Sequence, residues 1–405
     1  MQNWRIWLLF YLMIAMMASV FLSRFALSVT MIVFFAAAFA HKDWAQHFRK
    51  FIRTPLLWSM SLLFLLPLIS GLWSADKKQW IDIVQIKLPL LAFPLAFAGP
   101  MNFSQKQWDR LAYLFIAIVA IACGWSLYYY INDAEAINEG YLSARSLITP
   151  LQNDHVRFSW LVNIAIILSA WYYFKGRKVQ AGSAIIFFLI AMGFVIFLHI
   201  LAARTGLIAF YISLLLLSWF SLKRISAKFA IGFLILLISL PLIAYALVPS
   251  FRNRVKYLKY DFGFFKHAGY HPSTTDAVRI ISMNAGGEIM LQHPMCGVGF
   301  GDIHHETEEW YNKEYPTMLN EDKILPSSEW LIYGAACGIA GLLIFTIPMI
   351  IPLFTRVQEK LLWSILIVTS AFSFLADIGL EVQFGIFLYA FTVLWWWKWF
   401  TAQNV

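Results

Sequence analysis

The chain has 405 residues, of which 60% are hydrophobic and only 13% charged. Average soluble domains carry about 45–50% apolar and about 25% charged residues, so this composition excludes a water-soluble, disordered or fibrous protein. Three cysteines (Cys123, Cys296, Cys337) form no disulfide framework or zinc-ligand spacing, and the net charge of +9 is better explained by membrane orientation than by a nucleic-acid partner.

A helix rises about 1.5 Å per residue, so a hydrocarbon core of about 30 Å takes roughly 20 apolar residues. Twelve segments read as spans: 5–22, 25–41, 56–74, 81–99, 111–131, 157–174, 182–201, 204–221, 227–248, 329–353, 360–376 and 382–400. The first reads as a helix and not a signal peptide, because no small-x-small cleavage site follows it and many spans do. The fold class is therefore an all-α integral membrane protein of about twelve transmembrane helices. Residues 1–248 hold spans one to nine, 249–328 form one large, partly helical external loop, and 329–405 hold the last three. Trp395, Trp396, Trp397 and Trp399 around Lys398 read as an interfacial aromatic anchor.

Lysines and arginines set the orientation. Sixteen of them, from Arg5 through Lys42, Arg49, Lys50 and Arg53 to Lys398, fall at the two ends and in the even-numbered connections. Arg177 and Lys178 are among them. Only Asp43, Asp109 and Glu359 oppose them there, a balance of +13, whereas the other 15 basic and 19 acidic residues give −4. Both termini are expected to be cytoplasmic, and the basic pI reports topology.

The connections are short except for 249–328, with a smaller external segment at about 132–156. Long loops in compact proteins usually carry function, which puts the chemistry at the outer face. Within the large loop, Ser273-Thr274-Thr275-Asp276 is a helix start, followed by a helix over Ala277 to Gln292 that lies on the membrane surface or against other spans. Gly286-Gly287 weakens that helix and Pro294 stops it. Gly297, Gly299 and Gly301 then make a turn whose backbone can approach a neighbour closely. No strand precedes them, so a dinucleotide site is excluded.

Several polar residues sit where chemistry is expected. Arg204, at the junction of spans seven and eight, is either an interfacial snorkelling residue or an anion clamp, since its planar fork suits phosphate oxygens. Arg279 is either on a solvated helix face or a second phosphate ligand. His155 and Arg157 either cap span six or join the same site. His304, His305 and His293 are solvated loop histidines or proton carriers. Glu329 either favours its helix start or acts as a base. Lys87, inside span four, either snorkels or pairs with a carboxylate. No Ser-His-Asp pattern or metal-ligand cluster is apparent in the sequence.

The run Arg204-Thr205-Gly206, then Arg279, then His293-Pro294-Met295-Cys296-Gly297-Val298-Gly299-Phe300-Gly301-Asp302, then Ser328-Glu329-Trp330-Leu331 with Gly338 and Gly341, resembles the O-antigen ligase and polymerase superfamily. The layout of spans with one large loop before the last three matches as well. The resemblance implies a membrane glycosyltransferase of the bacterial inner membrane, working at its periplasmic face without metal or other cofactor. It would move a glycan from an undecaprenyl-diphosphate carrier to an acceptor hydroxyl on another glycan or on a lipid A-core, with membrane lipids as its surroundings and no nucleic acid. It implies Arg204 and Arg279 as diphosphate ligands, with His155 and Arg157 beside them. The family's usual histidine falls on Ser327 here, which leaves Glu329, His304 or His305 as the base. A transporter or flippase is the second reading and predicts pseudo-symmetric halves with broken helices near the midplane. A noncatalytic assembly protein is a third.

Overall fold

The computed structural model describes residues 2–143, 145–151, 153–176, 181–224, 226–268, 270–272 and 274–402. Ser273, Arg177 and Lys178 lie outside them. The described chain is helical, with no strand. In order it runs α1 (Gln2–Leu22), α2 (Arg24–Phe39), α3 (Trp44–Arg53), α4 (Pro55–Ser70), α5 (Lys77–Lys87), α6 (Pro89–Ala98), α7 (Gln105–Asn132), α8 (Ala134–Gly140), α9 (His155–Gly176), α10 (Ala181–Leu201), α11 (Arg204–Arg224), α12 (Ala227–Leu247), α13 (Pro249–Ala268), α14 (Thr275–Gln292), α15 (Ile303–Glu314), α16 (Glu329–Ile350), α17 (Lys360–Ala376) and α18 (Gln383–Ala402).

Eight stretches are helices long and apolar enough to cross a membrane, among them Lys77–Ala98, which joins α5 and α6. A ninth arises if α2 and α3, bent by 111°, count as one. Helices also occupy the other expected span positions, but α4 and α17 are shorter apolar helices. In α18, four tryptophans, a tyrosine and a lysine dilute the apolar character.

Local chemistry explains several boundaries. Ser104 and Gln107 form a reciprocal capping box at the start of α7. Ser23 caps α2 and Asp76 caps α5 through backbone N–H groups. α3 is a helix where the sequence suggested only a charged loop. Its exposed Trp44, Phe48 and Ile52 recur every fourth residue, the apolar stripe of a helix lying in a membrane interface.

The tryptophan cluster is not a lipid-facing anchor. Trp395, Trp396 and Trp399 have no exposed surface, and every residue from Phe384 to Phe400 in α18 is buried. A helix buried all round is a central post. Phe115 of α7 packs on Trp395, and Trp171 of α9 meets Trp399 edge-on at 5.4 Å.

The segment between α12 and α16 docks by backbone. α16 is broken at Cys337 and Gly338, the latter at φ 67°. A break frees polar groups that an apolar interior cannot leave unpaired. The glycine turn supplies partners: Val298 N donates to Ala335 O at 3.0 Å and Gly299 N to Ala336 O at 2.8 Å, while Ile339 N donates to Pro294 O at 2.9 Å. Gly297 sits at φ 65°, and a Cβ there would lie 2.3 Å from the Ala336 carbonyl carbon. The turn also grips the α4–α5 corner. Asp302 accepts from Ala75 N and Asp76 N at 2.6 and 2.8 Å, and Ser70 and Ser74 hydroxyls accept from Phe300 N and Gly301 N. α14 packs against α16, so of the two placements expected for that helix the structure adopts the one against other helices.

This docking separates two neighbouring glycines in their tolerance. Gly297→Ala is expected to lower the thermal midpoint in detergent, with a cost of about 1–3 kcal/mol from strain and overlap. Gly287→Ala, with nothing within 4 Å of a new Cβ in mid-helix, is expected to raise the midpoint, with a gain of about 0.5–1 kcal/mol. Equal shifts in the two variants would contradict the docking.

Candidate functional site

One end of the bundle gathers arginines. A cavity of about 470 Å³ is lined by Arg204, Arg254 and Arg279, by Asp276 and Ser327, and by an apolar wall including Leu207, Phe251, Leu258, Met283 and Phe372. The two arginines singled out in the sequence thus share one hollow, and Arg254 joins them.

Each guanidinium is held by a different device. Arg204 opens α11 after a tight turn in which Ala202 takes a left-handed φ of 46°, a conformation that costs an alanine about 1–2 kcal/mol. The last carbonyls of α10 are secured from outside: Tyr141 Oη donates to Leu201 O at 2.8 Å and Ser250 Oγ to Ile200 O at 2.7 Å. Arg204 pairs with Asp276 at the start of α14. Asp276 Oδ2 is buried and takes no hydrogen bond. Arg254 lies on the inner face of α13, stacked over the Tyr141 ring at 4.8 Å and donating to Arg145 O at 3.1 Å. Arg279, on the second turn of α14, reaches Ala376 O, the final carbonyl of α17, at 3.4 Å.

The electrostatics are unbalanced in favour of an anion. Burial lowers the proton affinity of Arg254, and Arg204 pushes the same way. Burial also lowers that of Arg279, with Arg204 adding to the effect while Asp377 and Asp276 oppose it. Burial raises the Asp377 carboxyl, against which Arg157 and Arg279 pull. Three cations and one carboxylate line the hollow, and desolvated guanidinium groups gain most from an arriving oxyanion.

Other expected site residues stand elsewhere. Arg157 is consumed by carboxylates: it pairs with Asp154 and with Asp377 at 3.4 Å and donates to Ile378 O at 2.8 Å. His155 Nδ1 lies 3.3 Å from Ser146 Oγ, off the cavity wall. Glu329 is fully buried at the start of α16, where it accepts from Leu380 N and its second oxygen has no partner. It does not line the cavity. His304 and His305 are exposed on α15, because that helix turns Ile303, Thr307, Trp310 and Tyr311 inward instead. His305 lies 3.6 Å from Glu309. The ligand atoms of His305, Glu306 and Glu309 fall within 4.8 Å of one another, a surface cluster apart from the arginines. Gly297, Gly299 and Gly301 belong to the docking turn.

Ser327, where the resemblance puts a histidine, does line the cavity. Ser282 Oγ donates to Arg279 O at 2.7 Å and lies 2.9 Å from Ser327 Oγ. This ties the Ser327 position to the Arg279 turn. Arg254 was legible but overlooked: Phe251, Arg254, Val255, Leu258 and Phe262 follow the spacing of one helical face.

A second buried charge cluster supports the site from below. Lys87 has no exposed surface and binds Glu381 at 2.6 Å and Leu380 O at 3.0 Å, between the rings of Phe300 and Tyr333. Of the two expectations for Lys87, carboxylate pairing is realised. The 379–381 turn therefore holds Lys87 and Glu329 on one side, and adjoining Ile378 and Asp377 hold Arg157 on the other.

Residues 189–346, from within α10 to within α16, match the family model described as O-antigen ligase. No curated protein matches the chain.

Lys87→Met leaves two carboxylates in the interior without their cation. It is expected to destabilise the protein in detergent by about 3–5 kcal/mol, with part restored in Lys87→Met/Glu381→Gln. An unchanged thermal midpoint in the single variant would show that the pair contributes nothing.

Proposed function

We propose, from the match of residues 189–346 to the O-antigen ligase family model, that this chain is a membrane glycosyltransferase that takes a glycan from an undecaprenyl-diphosphate carrier. It delivers the glycan to an acceptor hydroxyl at the periplasmic face of the bacterial inner membrane. In this reading α2, α4, α17 and α18 complete twelve crossings, both termini are cytoplasmic, and residues 249–328 cover the outer end. The observation that carries the proposal is the shared hollow of Arg204, Arg254 and Arg279 beside an apolar wall. A lipid diphosphate is an anion on an apolar tail, and the lining has both characters.

The chemistry is a direct displacement. The acceptor oxygen bonds to the anomeric carbon as the bond from that carbon to the diphosphate oxygen breaks. The electron pair leaves with the diphosphate, and configuration inverts. The arginines stabilise the charge that develops on the leaving group. Their positive charge supplies what a divalent cation supplies elsewhere, so the reaction is expected to need no metal. The acceptor's proton needs a base. Glu329, His304 and His305 are not at the hollow. Asp276 is, and its Oδ1 becomes available once the diphosphate takes over Arg204.

A lipopolysaccharide ligase joins a whole chain to a lipid A-core, and a polymerase joins one lipid-linked glycan to another. The resemblance favours the ligase. The transporter reading gains little from the break in α16, because loop backbone fills it.

Arg279→Ala is expected to lower transfer by about 10²–10³ while protein remains in the membrane. Arg279→Lys should recover only part of it, since an ammonium lacks the planar fork. A deletion strain complemented with Arg279→Ala should lose long-chain glycan on a lipopolysaccharide gel and accumulate carrier-linked glycan. A normal ladder would reject the role.

Asp276→Asn is expected to slow turnover by about 10²–10⁴ without weakening donor binding, whereas His304→Ala and His305→Ala leave the rate unchanged. Chelator treatment should leave wild-type transfer intact. Loss of activity in the histidine variants, or on chelation, would redirect attention to the α15 cluster.

A further inference from the structure

The other end of the bundle holds a second cavity that the transfer reaction does not use. It measures about 620 Å³ and is lined by Lys50, Lys398, His47, Trp397 and the segment Pro100–Ser104. The chain order puts it opposite the arginine hollow, since α7 leaves this end and its far end leads toward His155 and Tyr141.

The charges here lack counter-ions. Lys398 is buried, 6% exposed, and its ammonium donates to Gly99 O at 2.8 Å, with further N–H groups to place. Lys50 stands over the Trp397 ring at 5.9 Å and lines the same cavity as Lys398. Arg5 is held by the carbonyls of Ala37, Ala38 and Pro100 and adds positive field from behind. Among the described residues no carboxylate pairs with Lys50 or Lys398, although Asp43 lies on the wall.

The histidines do not add charge. Asp43 N donates to His41 Nδ1 at 3.1 Å. His41 Nε2 and His47 Nδ1 are 2.7 Å apart, and His47 Nε2 is 2.6 Å from Leu95 O. One proton per ring satisfies this relay: His41 Nε2–H donates to His47, and His47 Nε2–H donates to the carbonyl. The relay fixes α3 above the cavity, so the hollow is built before any ligand arrives.

We infer that Lys50 and Lys398 form a phosphate-binding site at this end of the protein, with Trp397 as its wall. An oxyanion entering this hollow would accept from both amino groups and hold both in the charged form. The exposed stripe Trp44, Phe48 and Ile52 sets α3 at headgroup depth, which favours the phosphate of an anionic phospholipid over free phosphate.

The test uses purified full-length protein in neutral detergent, with native mass spectrometry and thermal midpoints read together. Phosphatidylglycerol, phosphatidylcholine and inorganic phosphate are the probes. Wild type should retain and be stabilised by phosphatidylglycerol over phosphatidylcholine. Lys50→Gln should bind it roughly tenfold more weakly. Lys106→Gln removes the same charge outside the cavity and should bind as wild type does. Lys398→Met should behave like Lys50→Gln if it folds, and Lys50, being exposed, keeps the test valid if it does not. Stabilisation by phosphatidylglycerol that inorganic phosphate does not displace assigns a lipid headgroup, and stabilisation by inorganic phosphate itself assigns a free anion. Equal binding by Lys50→Gln and Lys106→Gln, or no response of wild type to either probe, would overturn the site.

Discussion

Positive charge held partly out of water, with too little negative charge beside it, is the constraint on which the arginine end of this protein depends. A guanidinium in a low-dielectric hollow keeps its proton and must find oxygens. Arg204 finds Asp276, Arg279 finds the end of α17, and Arg254 finds a ring and a carbonyl. None is paired as a phosphate would pair it. The resting protein therefore holds its arginines on weak or exchangeable partners, which leaves them able to take an entering anion without first melting a core.

That arrangement exists because backbone holds the segment between α12 and α16 in place. α14 and Ser327 stay over the cavity since the glycine turn between α14 and α15 completes the hydrogen bonds of a broken α16 and clasps the α4–α5 corner. The segment between α7 and α9 also contributes. Asn253 Nδ2 donates to Asn138 O at 2.8 Å, and Tyr141 carries both Arg254 and the α10 terminus. The buried Lys87–Glu381 pair and the Arg157 carboxylates fix the α17–α18 turn against which Arg279 rests. Charge at the cavity and structure beneath it are thus divided among different residues.

The sequence disclosed the membrane character, the helix positions and the two motif arginines, because apolar length and isolated intramembrane charge are local signals. It also disclosed that the glycines permit close approach, though not that their neighbour is a gap in α16. Partnership was hidden. Asp276 reads as a helix-start residue, and its pairing with Arg204 spans more than seventy positions. Glu329 looked available as a base, and only tertiary structure shows its oxygen committed to Leu380 N. The tryptophans of α18 fit an interfacial belt by composition, yet that helix is central, since burial depends on neighbours and not on residue type. α3 hides in a connection because its apolar residues are four apart among basic ones, and Arg254 hides in the same way on α13.

The most direct measurement is binding of undecaprenyl diphosphate, without its glycan, to the purified protein. Retention by wild type with loss in both Arg279→Ala and Arg254→Ala is the result this account predicts, because the hollow recognises the diphosphate before any sugar chemistry. Equal retention in all three proteins would contradict it.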